Sequence, residues 1–178
     1  MTAPLPTFRY HPDPIGTGSV VTSDARCLVC EASRGYIYTG PFFAEEEVEE
    51  ELCPWCIASG DAAARFDGIF VDDWGLTDNI PDSVVAEITQ RTPGFSGWQQ
   101  ERWWLHCGDG GTFLGPAGAA DVVAHGPITR EHLRQDLGWP ADERFDRYIA
   151  SLTADGQPTA YLFKCRVCGE VGGYSDFA

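Results

Sequence analysis

The chain has 178 residues, with 12 basic against 27 acidic side chains and a formal net charge of −15. Hydrophobic residues make up 43% and aromatics 12%, which suits one compact domain, or a domain with a small metal-stabilised lobe, and excludes wholesale disorder. So acidic a chain is a poor match for broad phosphate-driven nucleic-acid binding or for anionic lipid, and a good match for a basic partner.

No run of about 18 apolar residues is present, so no membrane insertion is expected. Met1 to Tyr10 lacks the charged start and apolar centre of a secretion signal. The expected location is the cytoplasm, where the seven cysteines stay reduced and paired thiols point to metal rather than disulfide.

From the N-terminus, Thr7 to Ser19 holds Pro12, Pro14, Gly16 and Gly18 and reads as an extended arm with turns. Gly35 to Gly40, with Tyr36, Ile37 and Tyr38 at its centre, reads as a short strand. Glu45, Glu46, Glu47, Glu49, Glu50 and Glu51 form an acidic run. It reads as a solvated helical or extended face leading to Leu52, and it also offers a docking patch for a basic partner. Ile57 to Phe66 reads as helix with an interruption at Gly60. Pro81 to Arg91 predicts a second helix, with Pro81 in its first turn and Val84, Val85 and Ile88 on one face.

Arg102 to Cys107 predicts a strand, Gly108 to Gly111 a turn, and Thr112 to Leu114 a second strand. Thr129 to Leu137 predicts a helix capped by Thr129, stapled by Ile128 and Leu133, and closed by Gly138. Phe145, Tyr148, Ile149 and Leu152 carry the spacing of an amphipathic helix. Asp155-Gly156 marks a turn, Thr159 to Lys164 a strand, and Gly173 to Phe177 a strand that closes a hairpin. The six tryptophans read mainly as core, with Trp98, Trp103 and Trp104 as candidates for an exposed patch.

Three Cys-x-x-Cys pairs stand at Cys27/Cys30, Cys53/Cys56 and Cys165/Cys168. A tight turn of this spacing aims two thiolates at one ion, and two such turns complete a tetrahedron. The first two pairs are 22 residues apart, slightly longer than the usual structural-zinc loop, and an extra turn at Gly40-Pro41 absorbs the excess. Four soft thiolates select zinc, with an iron–sulfur centre as the lesser alternative. A redox dithiol at Cys53-Pro54-Trp55-Cys56 is disfavoured, because it needs no second pair nearby and no thioredoxin-like βαβ pattern precedes it.

Cys165 and Cys168 resemble one knuckle of a zinc ribbon, and Cys107 offers a third sulfur for a second site. The fourth ligand must come from His106, Asp109 or water. Alternation along a regular strand points His106 away from Cys107, so Asp109 is the preferred candidate. The alternative is a buried Cys107 and a metal-free turn. The other histidines, His11, His125 and His132, read as surface or hydrogen-bonding residues. No His-Glu-x-x-His, phosphate loop or nucleophile elbow is present.

Several stretches resemble the bacterial CbrC family. They are Phe8-Arg9-Tyr10-His11-Pro12-Asp13-Pro14, Arg34 to Pro41, Leu52 to Ala58, Arg91 to Glu101, His106-Cys107-Gly108-Asp109, and Tyr161 to Cys165 with Cys168-Gly169. Together they span nearly the whole chain. The resemblance implies a link with tolerance of a colicin, a bacterial protein toxin, and brings no catalytic residue. The family pattern often has Cys where this chain has Gly111. The resemblance therefore implies a second site short of one sulfur here, filled by Asp109 or left empty.

The expected fold is α+β. A four-cysteine zinc-knuckle lobe (1–67) packs on a mixed body (68–178) that ends in the Cys165–Cys168 hairpin, the whole being two lobes or one compact domain. The expected metal sites are Cys27, Cys30, Cys53 and Cys56 with one Zn2+, and Cys107, Asp109, Cys165 and Cys168 with a second. The expected function is that of a non-enzymatic, cytoplasmic zinc-binding protein acting through a protein partner in toxin tolerance or stress response. The alternative is a metal-dependent hydrolase with an open second site. Nucleic-acid binding through Arg130, Arg134, Arg144 and Arg147 is the weakest reading.

Overall fold

β-branched and aromatic residues pair first: Val20–Thr22 (β1) and Tyr36–Tyr38 (β2) run antiparallel, with Val20 opposite Tyr38. The computed structural model describes residues 4–76 and 80–177, so the first three residues of the Met1 to Tyr10 stretch lie outside the described residues. The chain forms two compact units, one running to Ser96 and including Glu101–Trp103, the other comprising Gly97–Gln100 and Trp104 onward.

In the first unit, Pro54–Ser59 (α1) opens on Pro54, whose missing N–H costs nothing at a helix start. Gly60, with φ of 85°, ends the helix in the left-handed conformation, and its N–H donates to the Ile57 carbonyl at 3.0 Å. Asp61–Phe66 (α2) then restarts with Asp61 in its first turn, so the expected interruption falls at Gly60. Asp82–Arg91 (α3) begins one residue after Pro81, which takes the extended capping position.

Phe8, Tyr10, Ile37, Leu52, Ile57, Phe70, Leu76 and Ile88 are buried in this unit, each worth about 1.5–3 kcal/mol of apolar transfer. The unit extends past residue 67, because Ile69 bridges to Phe43 and the Phe70 N–H donates to the Thr89 carbonyl at 2.7 Å. The acidic run forms neither helix nor strand: it bends at Glu45, Glu46 and Glu50, the last with φ of 51°, and every glutamate is exposed while Val48 is buried.

In the second unit, Leu105–His106 (β3) and Asp109–Gly110 (β4) form a tight hairpin. Thr112–Ala117 (β5), Thr159–Lys164 (β6) and Val171–Asp176 (β7) make an antiparallel sheet of order β5-β6-β7. Between β5 and β6 come Ala119–His125 (α4), Pro127–Leu137 (α5) and Glu143–Ser151 (α6). Val122, Leu133, Phe145, Ile149, Leu152 and Leu162 form its core.

Several expectations shift in this unit. The strand expected over Arg102 to Cys107 is reduced to β3, because the chain turns at Cys107. Thr129 does not cap α5. Pro127 opens that helix, since its fixed φ and missing N–H suit the first turn, and Thr129 is buried with its hydroxyl donating to the Val171 carbonyl at 3.0 Å. Ile128 is 51% exposed and so cannot be the expected staple. α6 matches its predicted face, and Asp142 caps it by accepting from the Arg144 and Phe145 N–H groups. No helix among the described residues is long and apolar enough to cross a membrane.

Candidate metal centres

The first centre is built from two knuckles. In the first, the Cys27 N–H donates to the Ala32 carbonyl and the Glu31 N–H to the Cys27 carbonyl, while Glu31 adopts φ of 54° to turn the chain. In the second, Cys53 is the residue before α1, so the helix start carries Cys56 around beside it. The Leu28 N–H donates to the Glu51 carbonyl at 2.9 Å and joins the two knuckles. Arg65 of α2 reaches back to the Leu28 carbonyl at 2.5 Å.

The four sulfurs of Cys27, Cys30, Cys53 and Cys56 lie within 4.8 Å of one another, and Cys30 Sγ is 3.8 Å from Cys53 Sγ. A zinc tetrahedron with Zn–S bonds of about 2.3 Å has edges of about 3.8 Å, so the sulfurs stand at coordination spacing. All seven cysteines are free thiols.

The backbone aims N–H groups at sulfur, with Val29 and Cys53 each donating to Cys27 Sγ at 3.4 Å. The Cys53 thiol and these N–H groups pull the Cys27 thiol down to about 4, whereas burial pushes Cys56 up to about 12. Four thiols gathered in a half-dry site cannot all ionise alone, and a divalent cation is what makes four thiolates affordable there.

The second cluster is set by the β3–β4 hairpin. Its loop residues, Cys107 and Gly108, have φ of 53° and 74°, the paired positive values of a type I′ turn. Cys107 is therefore a turn residue, and strand alternation does not apply to it. The turn returns its sulfur to within 3.3 Å of His106 Nδ1, and Cys168 Sγ lies 3.4 Å from the same nitrogen. Cys165 and Cys168 come from the β6–β7 knuckle, closed by the Cys165 N–H to the Glu170 carbonyl at 2.7 Å.

Ligand atoms of His106, Cys107, Cys165 and Cys168 all lie within 4.8 Å. Burial raises the Cys165 thiol, but N–H groups from Cys168 and Val167 and the His106 side chain outweigh it and bring it down to about 6. Asp109, expected as the fourth ligand, is turned elsewhere. It accepts from the Gly110 N–H at 2.8 Å and pairs with Arg166 at 3.3 Å, because it sits on β4 opposite His106 rather than in the loop.

Sequence reasoning missed the surroundings of His106. Trp104 stacks on its ring at 5.0 Å and 7°, His132 meets it edge-on at 5.4 Å, and Glu170 Oε2 lies 3.8 Å from its Nε2. The available signal was the Cys107-Gly108 dipeptide read as the turn itself. At Gly111, a Cβ would come within 2.8 Å of the Phe163 Cβ and 2.9 Å of the Trp104 ring. The chain is thus packed around glycine there, with His106 at the cluster.

The fold and these clusters define a class: a mixed α/β protein of two compact units, each with a cysteine-rich group able to hold a metal ion. Residues 5–177 match the model of the uncharacterised protein family UPF0167, and the chain belongs to that family. It is 51% identical to the UPF0167 protein Mb2317 of Mycobacterium bovis over 98% of this chain and 94% of that one. It is 42% identical to the UPF0167 protein PA1536 of Pseudomonas aeruginosa over 99% of each. No solved structure matches the chain at a significant level.

Proposed function

We propose that this chain is a zinc-binding, non-enzymatic cytoplasmic protein that works by holding another protein, either in the toxin tolerance to which its CbrC resemblance points or in a stress response. The observation that carries the zinc reading is the spacing of the Cys27, Cys30, Cys53 and Cys56 sulfurs, within 4.8 Å of one another. A closed tetrahedron of thiolates has no open position for water, so the ion there would hold structure rather than perform chemistry.

The hydrolase alternative needed an open second site. Four donors from the protein at that cluster support a closed one instead.

A basic partner is supported by the charge of −15 and by a cleft of about 440 Å³ that sets Phe42, Phe43 and Val48 beside Glu49 and Glu50. The lining is mainly polar, and its two carboxylates beside Phe42 and Phe43 suit a segment that carries Lys or Arg next to an apolar side chain.

Elemental analysis of the purified protein tests the metal, with zinc bound to wild type and lost from the first centre in Cys27→Ser/Cys56→Ser. Absence of zinc from wild type would end the zinc reading. Affinity capture from lysate at low salt tests the partner: a basic protein released as salt rises and lost in Glu49→Lys/Glu50→Lys is expected. Capture indifferent to both salt and charge reversal would sink the partner reading.

A further inference from the structure

We infer that the second unit carries its own zinc centre, of three sulfurs and one nitrogen. The ligands are His106 through Nδ1 and the sulfurs of Cys107, Cys165 and Cys168, with Glu170 as a positioning residue at the far side of the imidazole. The inference stands on residues of that unit alone.

The distances fit a tetrahedron of mixed donors. With Zn–S of about 2.3 Å and Zn–N of about 2.0 Å, a sulfur–nitrogen edge is about 3.5 Å. His106 Nδ1 lies 3.3 Å from Cys107 Sγ and 3.4 Å from Cys168 Sγ. The backbone supplies what thiolates want: N–H groups of Val167 and Cys168 point at Cys165 Sγ at 3.4 and 3.5 Å.

The imidazole is oriented from three sides. Trp104 lies flat against it, His132 stands edge-on, and the Glu170 carboxylate faces Nε2 at 3.8 Å. A carboxylate at Nε2 favours the tautomer with its proton there and a free lone pair at Nδ1, the nitrogen among the sulfurs. Glu170 also lies 3.4 Å from His132 Nε2, so one carboxylate serves both rings. Gly172 makes this packing possible, since a Cβ there would stand 2.4 Å from the Trp104 ring and 3.0 Å from His132.

The test uses the full chain purified with zinc. X-ray absorption of wild type holding both ions is expected to fit about 3.5 sulfurs and 0.5 nitrogens per zinc, the average of an all-sulfur and a three-sulfur site. In competition with a chromophoric chelator, Glu170→Gln should weaken the second ion by about 10- to 100-fold while both ions still bind at saturating zinc. His106→Ala should weaken it further, and Asp109→Asn should leave it unchanged.

One zinc per chain in an all-sulfur environment would overturn the inference. So would an affinity unmoved by His106→Ala, or a loss on Asp109→Asn that His106→Ala does not share. One zinc with nitrogen in its shell, lost in His106→Ala, would uphold this centre and sink the four-cysteine one. Should a variant fail to fold, the wild-type absorption fit still decides.

Discussion

At the residue scale, His11 shows what burial does to an ionisable group. It is wholly inaccessible, its Nδ1 donates to the Pro93 carbonyl at 2.8 Å, and its Nε2 lies 2.6 Å from Thr17 Oγ1. Loss of hydration lowers it from 6.5 to about 4, against the opposing pull of the Pro93 carbonyl and Asp13. Between those values the unfolded chain takes up a proton that the folded chain refuses. The stability tied to neutral His11 is therefore full above pH 6.5 and falls as pH drops toward 4, by about 3 kcal/mol across the window. Urea unfolding at successive pH values should show that slope in wild type and a shallower one in His11→Asn. Equal slopes would refute it.

At the element scale, α5 is held to the sheet by Leu133, which is fully buried in the core with Phe145 and Leu162. Leu133→Ala leaves a cavity and should cost about 2–5 kcal/mol in chemical denaturation. Gly111→Ala meets Trp104 and the Phe163 Cβ and should cost about 1–3 kcal/mol through overpacking; a variant as stable as wild type would show that this neighbourhood yields.

Elements with strong periodicity or firm punctuation were legible in sequence. β6 keeps its predicted bounds, α6 its apolar face, and Gly60 and Gly138 their left-handed stops. What escaped was decided by single turns. Reading Cys107 as a strand residue sent His106 the wrong way, whereas positive φ at Cys107 and Gly108 brings both to one point. Glu170 and His132 were invisible because they meet His106 only once β7 and α5 are packed. The cysteine pairs were legible throughout, because their spacing is local while their meeting needs only short turns.

At the scale of the whole molecule, each of the two units has its own buried core and its own cysteine cluster, so an ion held by a cluster adds to the stability of that unit. In the first unit Cys27, Cys53 and Cys56 are themselves buried, as are the chain neighbours Leu52 and Ile57, so removing an ion there would leave like-charged or re-protonated sulfurs in a buried site. A strong zinc chelator should therefore lower the Tm of wild type by several degrees or more and expose the first unit to proteolysis, and added zinc should reverse both changes. The effect should shrink as pH falls, because zinc binding that releases protons is weaker in acid and leaves the chelator less stability to remove. Each bound thiolate displaces a proton, and Cys56, pushed up to about 12 by burial, yields its proton only to the metal, so protons compete with zinc for the site. Calorimetry with and without chelator at pH 6 and pH 8 makes the comparison. A melting temperature indifferent to chelator at both pH values would mean that packing alone holds this unit.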